Sequence, residues 1–475
     1  MFINGEWRDA AGGESFDVLN PADGTVIASV PDGGSEDARA AIEAADAAFA
    51  MWSRTTAYER ADILLKAHRL MMERQEELAR TMTEEQGKPL RAARTEVKYG
   101  ADFLQWFAEE AKRVNGKILP SARADQRFMV LKQPVGVVAA VTPWNYPISM
   151  ITRKVGPALA AGCTVVLKPA EATPLCALAM FRIFEEAGVP PGVVNLVTAA
   201  DPKPIGAEFT THPAVRKLTF TGSTAVGKML AGEAASRMKR VSMELGGHAP
   251  FIVCQDADPV HAAKGGSLVK FLNTGQACIS PNRFYVHSSI YEPFLETLTE
   301  RVAKMKAGSG FEEGVAIGPL VNDAAVAKVD AQVQDAVAKG AEAVTGGAAL
   351  KGGALGSGHF YAPTVLARVT PEMQIYREET FGPVAPVIRY DDDDDVLAMA
   401  NDTDYGLAAY VYTQNLSRAM RLFEGLRFGI IGINDINPTS AAAPFGGMKS
   451  SGLGREGARE GIEEYLETKL GGMVV

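Results

Sequence analysis

Apolar residues recur at helical spacing from residue 35 to about residue 112. Ile42 and Phe49 fall on one face of the first predicted helix, and Ser35 is a suitable residue to cap its amino terminus. Two short apolar runs upstream of this helix flank a Pro-Ala-Asp-Gly turn at 21–24, which predicts a hairpin. The first quarter of the chain is therefore predicted to be one hairpin followed by helices.

The pattern changes near residue 135, where short apolar runs begin to alternate with helical stretches. A helix is predicted from Pro174 to Glu186, because proline suits its first position and Gly188 follows its end. Strands separated by crossover helices form parallel sheets, so the predicted fold class is α/β with a doubly wound, Rossmann-like sheet. The predicted strands are 137–141, 164–167, 193–197, 217–220, 241–245, 251–254, 284–287, 341–344, 384–390, 409–413 and 430–434.

Length and composition limit the classes of function. A chain of 475 residues exceeds one ordinary core and predicts two domains with a small appendage. A net charge of -9 argues against a nucleic-acid partner. No apolar run approaches the roughly 18 residues of a membrane span, and the first residues lack a secretory signal pattern. We therefore expect a cytoplasmic enzyme with no membrane partner.

The four cysteines, Cys163, Cys176, Cys254 and Cys278, predict a reduced protein without a metal site. None of them forms a Cys-x-x-Cys pair, and no Cys/His spacing is typical of zinc. The run of acids from Asp391 to Asp395 is interpreted as a solvated loop, because adjacent carboxylates along one run do not converge on one cation.

Cys278 is the candidate nucleophile among these cysteines. Its neighbours on both sides are polar or small, as in a loop or helix start where backbone amides lower a thiol pKa. The other three cysteines lie within apolar runs and are expected in the core. Burial as a small apolar residue is the alternative for Cys278 as well.

Glu244 is the candidate general base. It ends a predicted strand and is followed by Gly246 and Gly247, where glycines permit close approach of the backbone to a ligand. A partly desolvated carboxylate at a strand end can take up a proton. A turn acid or helix-cap acid is the structural alternative.

Three further segments follow predicted strands, where parallel sheets bind ligands. Asn145, in 142–147, could donate its amide to an oxyanion, and Lys168 ends the next strand. The turn 221–227 opens a helix, as dinucleotide phosphates require, but it matches neither G-x-G-x-x-G nor a Walker A loop. An ordinary strand-to-helix turn is the alternative. Together with Cys278 and Glu244, these segments suggest oxidation of an aldehyde through a thioester.

The chain resembles the NAD(P)-dependent aldehyde dehydrogenases over essentially its whole length. The motifs that carry the resemblance, in their expected order, are TPWNYP, LKPAEATP, FTGSTAVG, MELGG, NTGQAC, EETFGPV and PFGGMKSSGLGREG. The resemblance implies the aldehyde dehydrogenase fold. It implies a cofactor domain at 1–118 and 140–246, a catalytic domain at 247–440, and a bridging, oligomerisation element at 119–139 and 441–475. The tail 470–475 resembles the edge strand that pairs subunits in this family, which implies a homodimer or homotetramer.

The resemblance assigns the catalytic roles. Cys278 is implied to be the nucleophile that forms a thiohemiacetal, and Asn145 with the Cys278 amide is implied to form the oxyanion hole. Glu244 is implied to activate the hydrolytic water. Family members that transfer the acyl group to coenzyme A typically lack this acid, so release of the free acid is expected.

The resemblance also implies a cofactor site. Lys168 and Glu171 would contact the adenosine ribose, and Ser223 the pyrophosphate. A carboxylate at Glu171 accepts ribose hydroxyls and repels the 2′-phosphate of NADP, so NAD is predicted, with NADP possible because Lys168 is adjacent. The whole implied set is Trp144, Lys168, Glu171, Gly222, Ser223, Gly246, Glu379 and Phe381.

The segments 151–163, 270–271 and 452–457 are similar to the succinate-semialdehyde dehydrogenase branch, in which Arg153 is implied to bind the distal carboxylate of the substrate. A guanidinium suits a carboxylate bidentately, although a surface or interhelix arginine is the alternative. The branch usually has a second arginine where this chain has Leu272, and a serine where it has Thr439. Losing one charge-assisted contact costs about 1.5–3 kcal/mol of binding.

A small anionic aldehyde is the predicted substrate. Glutarate semialdehyde, 2-oxoglutarate semialdehyde, a sulfonated aldehyde and a neutral aldehyde are the alternatives. Two other classes are a cysteine esterase that uses Cys278 and Glu244 without redox chemistry, and a non-catalytic protein that keeps the fold.

Overall fold

The computed structural model describes residues 1–475, except for the side chain of Ala354. Helices and strands alternate through most of the chain. Within these residues the α-helices are α1 (Ser35–Trp52), α2 (Ala57–Glu73), α3 (Gln75–Gln86), α4 (Leu90–Ala111), α5 (Ser149–Ala161), α6 (Pro174–Ala187), α7 (Lys203–Thr211), α8 (Thr224–Ala235), α9 (Pro259–Lys270), α10 (Tyr291–Ala303), α11 (Asp323–Ala338), α12 (Gln374–Arg377), α13 (Asp393–Asn401), α14 (Leu416–Gly425) and α15 (Ala458–Glu463).

The strands of the first half are short and mostly buried. They are β1 (Phe2–Ile3), β2 (Glu6–Trp7), β3 (Ser15–Leu19), β4 (Val26–Pro31), β5 (Lys117–Leu119), β6 (Gln126–Pro134), β7 (Val137–Val141), β8 (Thr164–Lys168), β9 (Val194–Leu196), β10 (Val215–Thr221) and β11 (Arg240–Glu244). The remaining strands are β12 (Ala249–Val253), β13 (Pro281–His287), β14 (Lys306–Ala307), β15 (Val315–Ile317), β16 (Glu342–Thr345), β17 (Thr364–Ala367), β18 (Val384–Tyr390), β19 (Ala408–Tyr412), β20 (Ile430–Ile433), β21 (Gly452–Leu453) and β22 (Leu466–Val474).

Every strand predicted from residue 137 onward is present, as is the predicted hairpin, formed by β3 and β4. Two local predictions were wrong. Helix α1 begins at Ser35 itself, and Gly34 is the capping residue, with its amide donating to Asp37 at 3.1 Å. The acidic run is not simply a loop, because Asp392 caps α13 and three aspartates occupy the first turn of that helix. Negative charge is favourable there because it opposes the helix dipole.

The first sheet has the strand order β2-β1-β9-β8-β7-β10-β11-β21. Its central strands, from β9 to β11, are parallel, and β1 and β21 pair antiparallel at its flanks. The chain runs from β7 to β8 and β9 on one side, and then to β10 and β11 on the other. The order therefore reverses between β7 and β10, and a crevice for a ligand forms at such a reversal, outside the carboxyl ends of the strands.

The second sheet has the order β16-β17-β18-β13-β12-β19-β20 and is parallel except for the β16–β17 pair. Residues 245–248 alone connect β11 of the first sheet to β12 of the second. Side chains of both sheets alternate between two apolar clusters, such as Val138 on one face and Ala139 on the other. Both faces of each sheet are thus buried under helices, which confirms the predicted α/β class.

A separate three-stranded sheet has the order β22-β6-β5. β22 pairs antiparallel with β6 from Leu466 opposite Pro134 to Val474 opposite Gln126. The predicted strand at the carboxyl-terminal tail is present and forms one edge of this sheet. Several apolar side chains of the sheet are more than half exposed, namely Ile118, Leu131, Leu470 and Val474.

The predicted domain division remains a proposal. The carboxyl-terminal segment 441–475 has contacts outside the proposed bridging element. β21 pairs with β11 of the first sheet, and α15 packs against α4 and α5. Segments from 441–475 therefore contact the proposed cofactor domain as well as β6. In the described part of the chain, no helix combines the length and the apolar character that a membrane crossing requires.

Candidate active site

Cys278 lies in a strained loop between α9 and β13. The three residues Asn273, Thr274 and Gly275 adopt left-handed backbone conformations, with φ of 49°, 60° and 76°. Such a conformation is unusual for threonine, because its β-branched side chain crowds the backbone. The loop is held in place by Thr274, whose hydroxyl donates to the Gly318 carbonyl at 3.2 Å and accepts from the Gly318 amide at 3.0 Å. Strain that is fixed by its surroundings in this way is typical of functional sites.

Gly247 brings the two sheets together at this loop. A Cβ atom on Gly247 would overlap the Cys278 carbonyl oxygen, so only glycine permits the observed packing. The Gly247 amide donates to Glu379 at 2.9 Å. The glycine pair after Glu244 therefore contacts the Cys278 loop and Glu379, rather than only leaving space for a ligand. As a result, the carboxyl edge of the first sheet faces the amino edge of the second.

Two cavities meet at Cys278. A cavity of about 260 Å³ lies at the carboxyl edge of the first sheet and is lined by Trp144, Ser223, Glu244 and Phe381 among others. A second cavity of about 500 Å³ lies on the other side and is lined by residues of α4 and α5, by Leu272 and by Thr439. Cys278 lines both of them. The thiol is thus accessible from two directions, as a reaction between two different ligands requires.

Asn145 is close to this junction, as the sequence predicts. Its Nδ2 donates to the Gln276 carbonyl at 3.0 Å, two residues before Cys278. Its own carbonyl accepts from Nζ of Lys88 at 2.7 Å and from Nδ2 of Asn273 at 3.0 Å. The loop after β7 and the Cys278 loop are therefore tied to each other directly.

Lys88 and Glu96 form a buried ion pair that the sequence analysis missed. Oε1 of Glu96 accepts from the amides of Ile148 and Ser149 at 3.0 and 3.2 Å, at the start of α5. Nζ of Lys88 also lies 4.2 Å from the ring centre of Tyr146. Through these contacts the ion pair holds the segment 145–149 in place. Breaking the pair would be costly, because it would leave a charge unpaired in the core. The two residues are eight positions apart in a helical region, where no local pattern indicates such a pair.

Glu244 is buried at the end of β11, and neither of its carboxylate oxygens has a hydrogen-bond partner among the described residues. Burial raises the pKa of Glu244 well above its ordinary value, and the nearby Glu456 raises it further. Arg153, Lys154 and Arg455 oppose this shift. A buried carboxylate without partners is costly to the fold, so a functional role explains it better than a structural one.

Burial also raises the pKa of the Cys278 thiol, to about 12. Arg153 opposes the shift, while the carboxylates of Glu244 and Glu379 add to it. The thiol is therefore protonated at neutral pH in this state, and its activation requires removal of the proton. The Cys278 backbone amide lowers this pKa, as expected from the sequence, but the effect of burial is larger and the net shift is upward.

Arg153 lies in the wall of the larger cavity, on α5. Its guanidinium is 3.9 Å from the ring centre of Phe445, and its Nε is 2.8 Å from Oε2 of Glu456. Lys154 pairs with the other oxygen of Glu456 at 2.6 Å. Nη2 of Arg153 has no hydrogen-bond partner among the described residues, although the side chain is 2 % exposed. The alternative of a surface arginine is therefore excluded.

The smaller cavity suits the nicotinamide half of a dinucleotide. The ring centres of Trp144 and Phe381 lie 5.6 Å apart in an edge-to-face arrangement. Ser223 caps α8 and lines the cavity, so the amino terminus of this helix lies next to it. A Cβ on Gly246 would lie only 2.9 Å from Oε2 of Glu379, so this wall has no room for a side chain. Gly222 also lines the cavity, as does Lys328, which the sequence analysis missed.

Lys168, the last residue of β8, and Glu171, three residues further on, lie next to each other outside both cavities. Nζ of Lys168 is 3.2 Å from Oε2 of Glu171. Burial lowers the pKa of Lys168, and Glu171 opposes that shift. Lys168 is buried and Glu171 is exposed. This polar pair is positioned at the carboxyl edge of the first sheet, where the adenosine end of a dinucleotide is expected.

In the described residues, no group of three or more His, Cys, Asp or Glu side chains has the arrangement of a metal site. The four cysteines are free, and Cys163, Cys176 and Cys254 are buried in the core, as predicted. A doubly wound sheet, a crevice at its reversal point and a thiol between two cavities together define a dinucleotide-dependent α/β enzyme.

The chain belongs to the aldehyde dehydrogenase family, which matches residues 7–470. It therefore oxidises an aldehyde with NAD or NADP. A succinate-semialdehyde dehydrogenase [NADP(+)] of Escherichia coli (strain K12) is 52% identical over 98% of this chain and 96% of its own length. A 3-sulfolactaldehyde dehydrogenase of Pseudomonas putida is 51% identical over 99% of this chain and 97% of its own.

A solved structure has the same fold. The crystal structure of an NADP-dependent enzyme of E. coli superposes with a TM-score of 0.98 at 51% identity, covering 100% of this chain and 98% of that one. The predicted aldehyde dehydrogenase fold is thereby confirmed.

We expect the rate of aldehyde oxidation to rise with pH between about pH 6 and pH 10. The raised pKa values of Cys278 and Glu244 mean that both groups are protonated at low pH and lose their protons as the pH rises. Glu244→Gln should lower kcat by about 100-fold or more, because the isosteric amide takes up no proton. Steady-state rates across this range measure both effects, with the thermal midpoint of the variant as a control for folding. A flat profile, or full activity of Glu244→Gln, would contradict the expectation.

Proposed function

We propose that this enzyme oxidises a small anionic aldehyde, such as succinate semialdehyde, to the carboxylic acid, with NAD as the preferred cofactor. The observation that supports the substrate class is Arg153, a buried cation that lines the same cavity as Cys278 and whose Nη2 has no hydrogen-bond partner among the described residues. A buried guanidinium without a partner for one of its nitrogens is costly, and a carboxylate or sulfonate of the substrate would satisfy it.

The covalent step begins at Cys278. The Cys278 thiol gives its proton to Glu244, which passes it on to solvent. Sγ then forms a bond to the aldehyde carbon, and the carbonyl oxygen becomes the alkoxide of a thiohemiacetal. The amide of Asn145 would stabilise this alkoxide if it left the Gln276 carbonyl, with which it now bonds at 3.0 Å. Lys88 and Asn273 hold the Asn145 backbone, so that only the side chain would have to turn.

Bound NAD(P) supplies the acceptor for the hydride that converts the thiohemiacetal into a thioester. Glu244 then removes a proton from water, the water oxygen bonds to the acyl carbon, and the C–S bond breaks to release the acid and the Cys278 thiolate. The support for this role is the position of Glu244 in the wall of the smaller cavity, next to Cys278 and without a hydrogen-bond partner in the described residues. A carboxylate already paired would be a weaker base.

The residues of the smaller cavity would hold the nicotinamide half of the cofactor. Trp144 and Phe381 would enclose it, and Glu379 would accept hydrogen bonds from ribose hydroxyls. Ser223 and Gly222 at the start of α8 would face the pyrophosphate. Each of these residues lines one cavity with Cys278, which supports their assignment as one site.

The preference for NAD rests on Glu171. Its exposed carboxylate can accept hydrogen bonds from the two hydroxyls of an adenosine ribose, and it would repel a 2′-phosphate. Lys168 alone would attract that phosphate, but its Nζ is already 3.2 Å from Glu171. The E. coli relative carries NADP(+) in its name, so this proposal distinguishes the chain from that relative.

We also propose that the β22-β6-β5 sheet joins copies of the chain into a homodimer or homotetramer. The support is its edge strand and the exposed apolar side chains Ile118, Leu131, Leu470 and Val474, which a second copy would cover. A cytoplasmic location is proposed as well, because free cysteines are typical of reducing compartments.

The proposed substrate class predicts that Arg153→Met lowers the preference for anionic aldehydes about 10- to 100-fold. Methionine keeps the apolar packing on Phe445 and removes the charge. NADH formation is measured with succinate semialdehyde, glutarate semialdehyde, a sulfonated aldehyde and butanal, a neutral aldehyde of matched length. The ratio of kcat/KM values between anionic and neutral substrates is the readout, since Arg153 also acts on the Cys278 thiol. A wild-type enzyme that prefers butanal would overturn the proposal.

The proposed cofactor preference predicts that Glu171→Gln shifts the NAD/NADP ratio of kcat/KM toward NADP by about tenfold. The amide removes the repulsion of the 2′-phosphate and frees Lys168 to contact it. Steady-state kinetics with each cofactor at saturating aldehyde measure the ratio, and kcat with NAD serves as the control for folding. An unchanged ratio, or a wild-type enzyme that prefers NADP, would count against the role of Glu171.

A further inference from the structure

Arg91 is a cation in the wall of the larger cavity that the proposed mechanism does not use. It occupies the second position of α4, and its side chain is exposed. Along the same helix, Ala92, Thr95 and Tyr99 line the cavity too, so one face of α4 forms a continuous wall. Among the described residues, no carboxylate lies within ion-pair distance of Arg91. Arg94, one turn further on, pairs with Glu76 at 2.6 Å.

The charge of Arg91 is not neutralised by the rest of the cavity wall. Glu96 is the acid among the lining residues, and both of its oxygens are engaged, one by Lys88 and one by the amides of Ile148 and Ser149. Lys88 is neutralised by the same pair. Arg91 is therefore the exposed, unpaired charge of a cavity that ends at Cys278.

The position of Arg91 in α4 does not favour the stability of the helix. The first turn of α4 contains no acidic residue, and Pro89 provides no side-chain cap. A cation at a helix amino terminus is opposed by the helix dipole, whereas an acid there would be favourable. The positive end of the helix dipole and the guanidinium together give this part of the cavity a positive potential.

Arg91 and Arg153 lie at different positions along the cavity wall. Arg153 lies 5.5 Å from the ring centre of Phe103, which is twelve residues beyond Arg91 on α4. Twelve residues correspond to roughly 18 Å of helix, more than a four-carbon aldehyde spans. The two arginines are therefore anchored in different parts of the cavity wall.

We propose that Arg91 is an entrance site that attracts the anionic end of the substrate into the cavity, before Arg153 binds it near Cys278. This inference rests on the proposed function, because it requires an anionic aldehyde. It adds a residue that determines specificity by increasing the rate at which anionic substrates enter the cavity. An exposed charge at the rim of a binding site acts mainly on association and is screened by salt.

The test compares Arg91→Gln with Arg94→Gln, a control that removes the same charge from the same helix outside the cavity. At low ionic strength, Arg91→Gln should raise the KM for succinate semialdehyde about 3- to 10-fold while kcat changes little. The KM for butanal should change much less. For succinate semialdehyde, the KM difference between Arg91→Gln and the wild-type enzyme should shrink in about 0.5 M salt, where the Debye length is only a few ångströms. Arg91→Lys should keep most of the effect of the wild-type residue, because attraction at an entrance requires charge rather than a bidentate fork.

The inference would be overturned by an unchanged KM in Arg91→Gln, by an equal rise in KM for butanal, or by an equal rise in Arg94→Gln. An Arg91→Lys variant that behaves like Arg91→Gln would also contradict it. The proposed function fails by a different result. If the wild-type enzyme shows no preference for anions and Arg153→Met leaves the ratio unchanged, the substrate class is wrong. If the wild-type enzyme prefers anions and Arg153→Met lowers that preference, but Arg91→Gln leaves the KM unchanged, the entrance site alone is wrong.

Discussion

The contact between Gly247 and the Cys278 carbonyl is the constraint on which the site depends. The chain passes from the first sheet to the second in the residues 245–248, and this crossing lies directly against the loop that carries the thiol. Any side chain at Gly247 would separate the sheets. Because the crossing follows Glu244, the same contact sets the position of the carboxylate relative to the thiol. It also fixes Glu379 through its bond to the Gly247 amide.

Buried charge surrounds this contact, and its arrangement follows from function more than from stability. Glu244 has no hydrogen-bond partner in the described residues, whereas Glu456 is held by Arg153 and Lys154. These cations lower the pKa of Glu456 against the effect of burial, while burial dominates for Glu244. Two carboxylates near each other thus have pKa values shifted in opposite directions. Such a pair allows one acid to remain charged while the other takes up or releases a proton.

Local patterns predicted most of the fold. β7 and β18 match the predicted ranges because each is a compact buried run between clear turn signals. The short flanking strands β1 and β21 were not predicted, since two residues carry no periodicity and their pairing depends on partners that are distant in sequence. Ser35 was predicted as a cap from its residue type, but the preceding Gly34 adopts the extended conformation and pairs with Asp37.

The residues of the candidate site also divide into those that local sequence patterns predicted and those that they did not. Cys278, Glu244 and Asn145 were predicted because each lies in a distinctive motif at the end of a strand or in a loop. Lys88 and Glu96 were missed because they are eight positions apart, outside the three- and four-residue spacing of helical ion pairs. Glu456 was missed because its partners, Arg153 and Lys154, are distant in the sequence. The raised pKa of Cys278 was not predicted either, since burial of the loop outweighs the backbone amides. The sequence thus predicted the candidate reacting groups, and the fold determined their environment.

The central claim is that oxidation proceeds through an acyl group bound to Cys278. Mass spectrometry of enzyme quenched in acid during turnover with succinate semialdehyde and NAD tests it most directly. The account predicts that the peptide containing Cys278 gains the mass of the acyl group, and that the fraction labelled rises in Glu244→Gln because hydrolysis is slowed. Turnover that proceeds in Cys278→Ala, with no acyl mass on this peptide in the parent enzyme, would contradict the account.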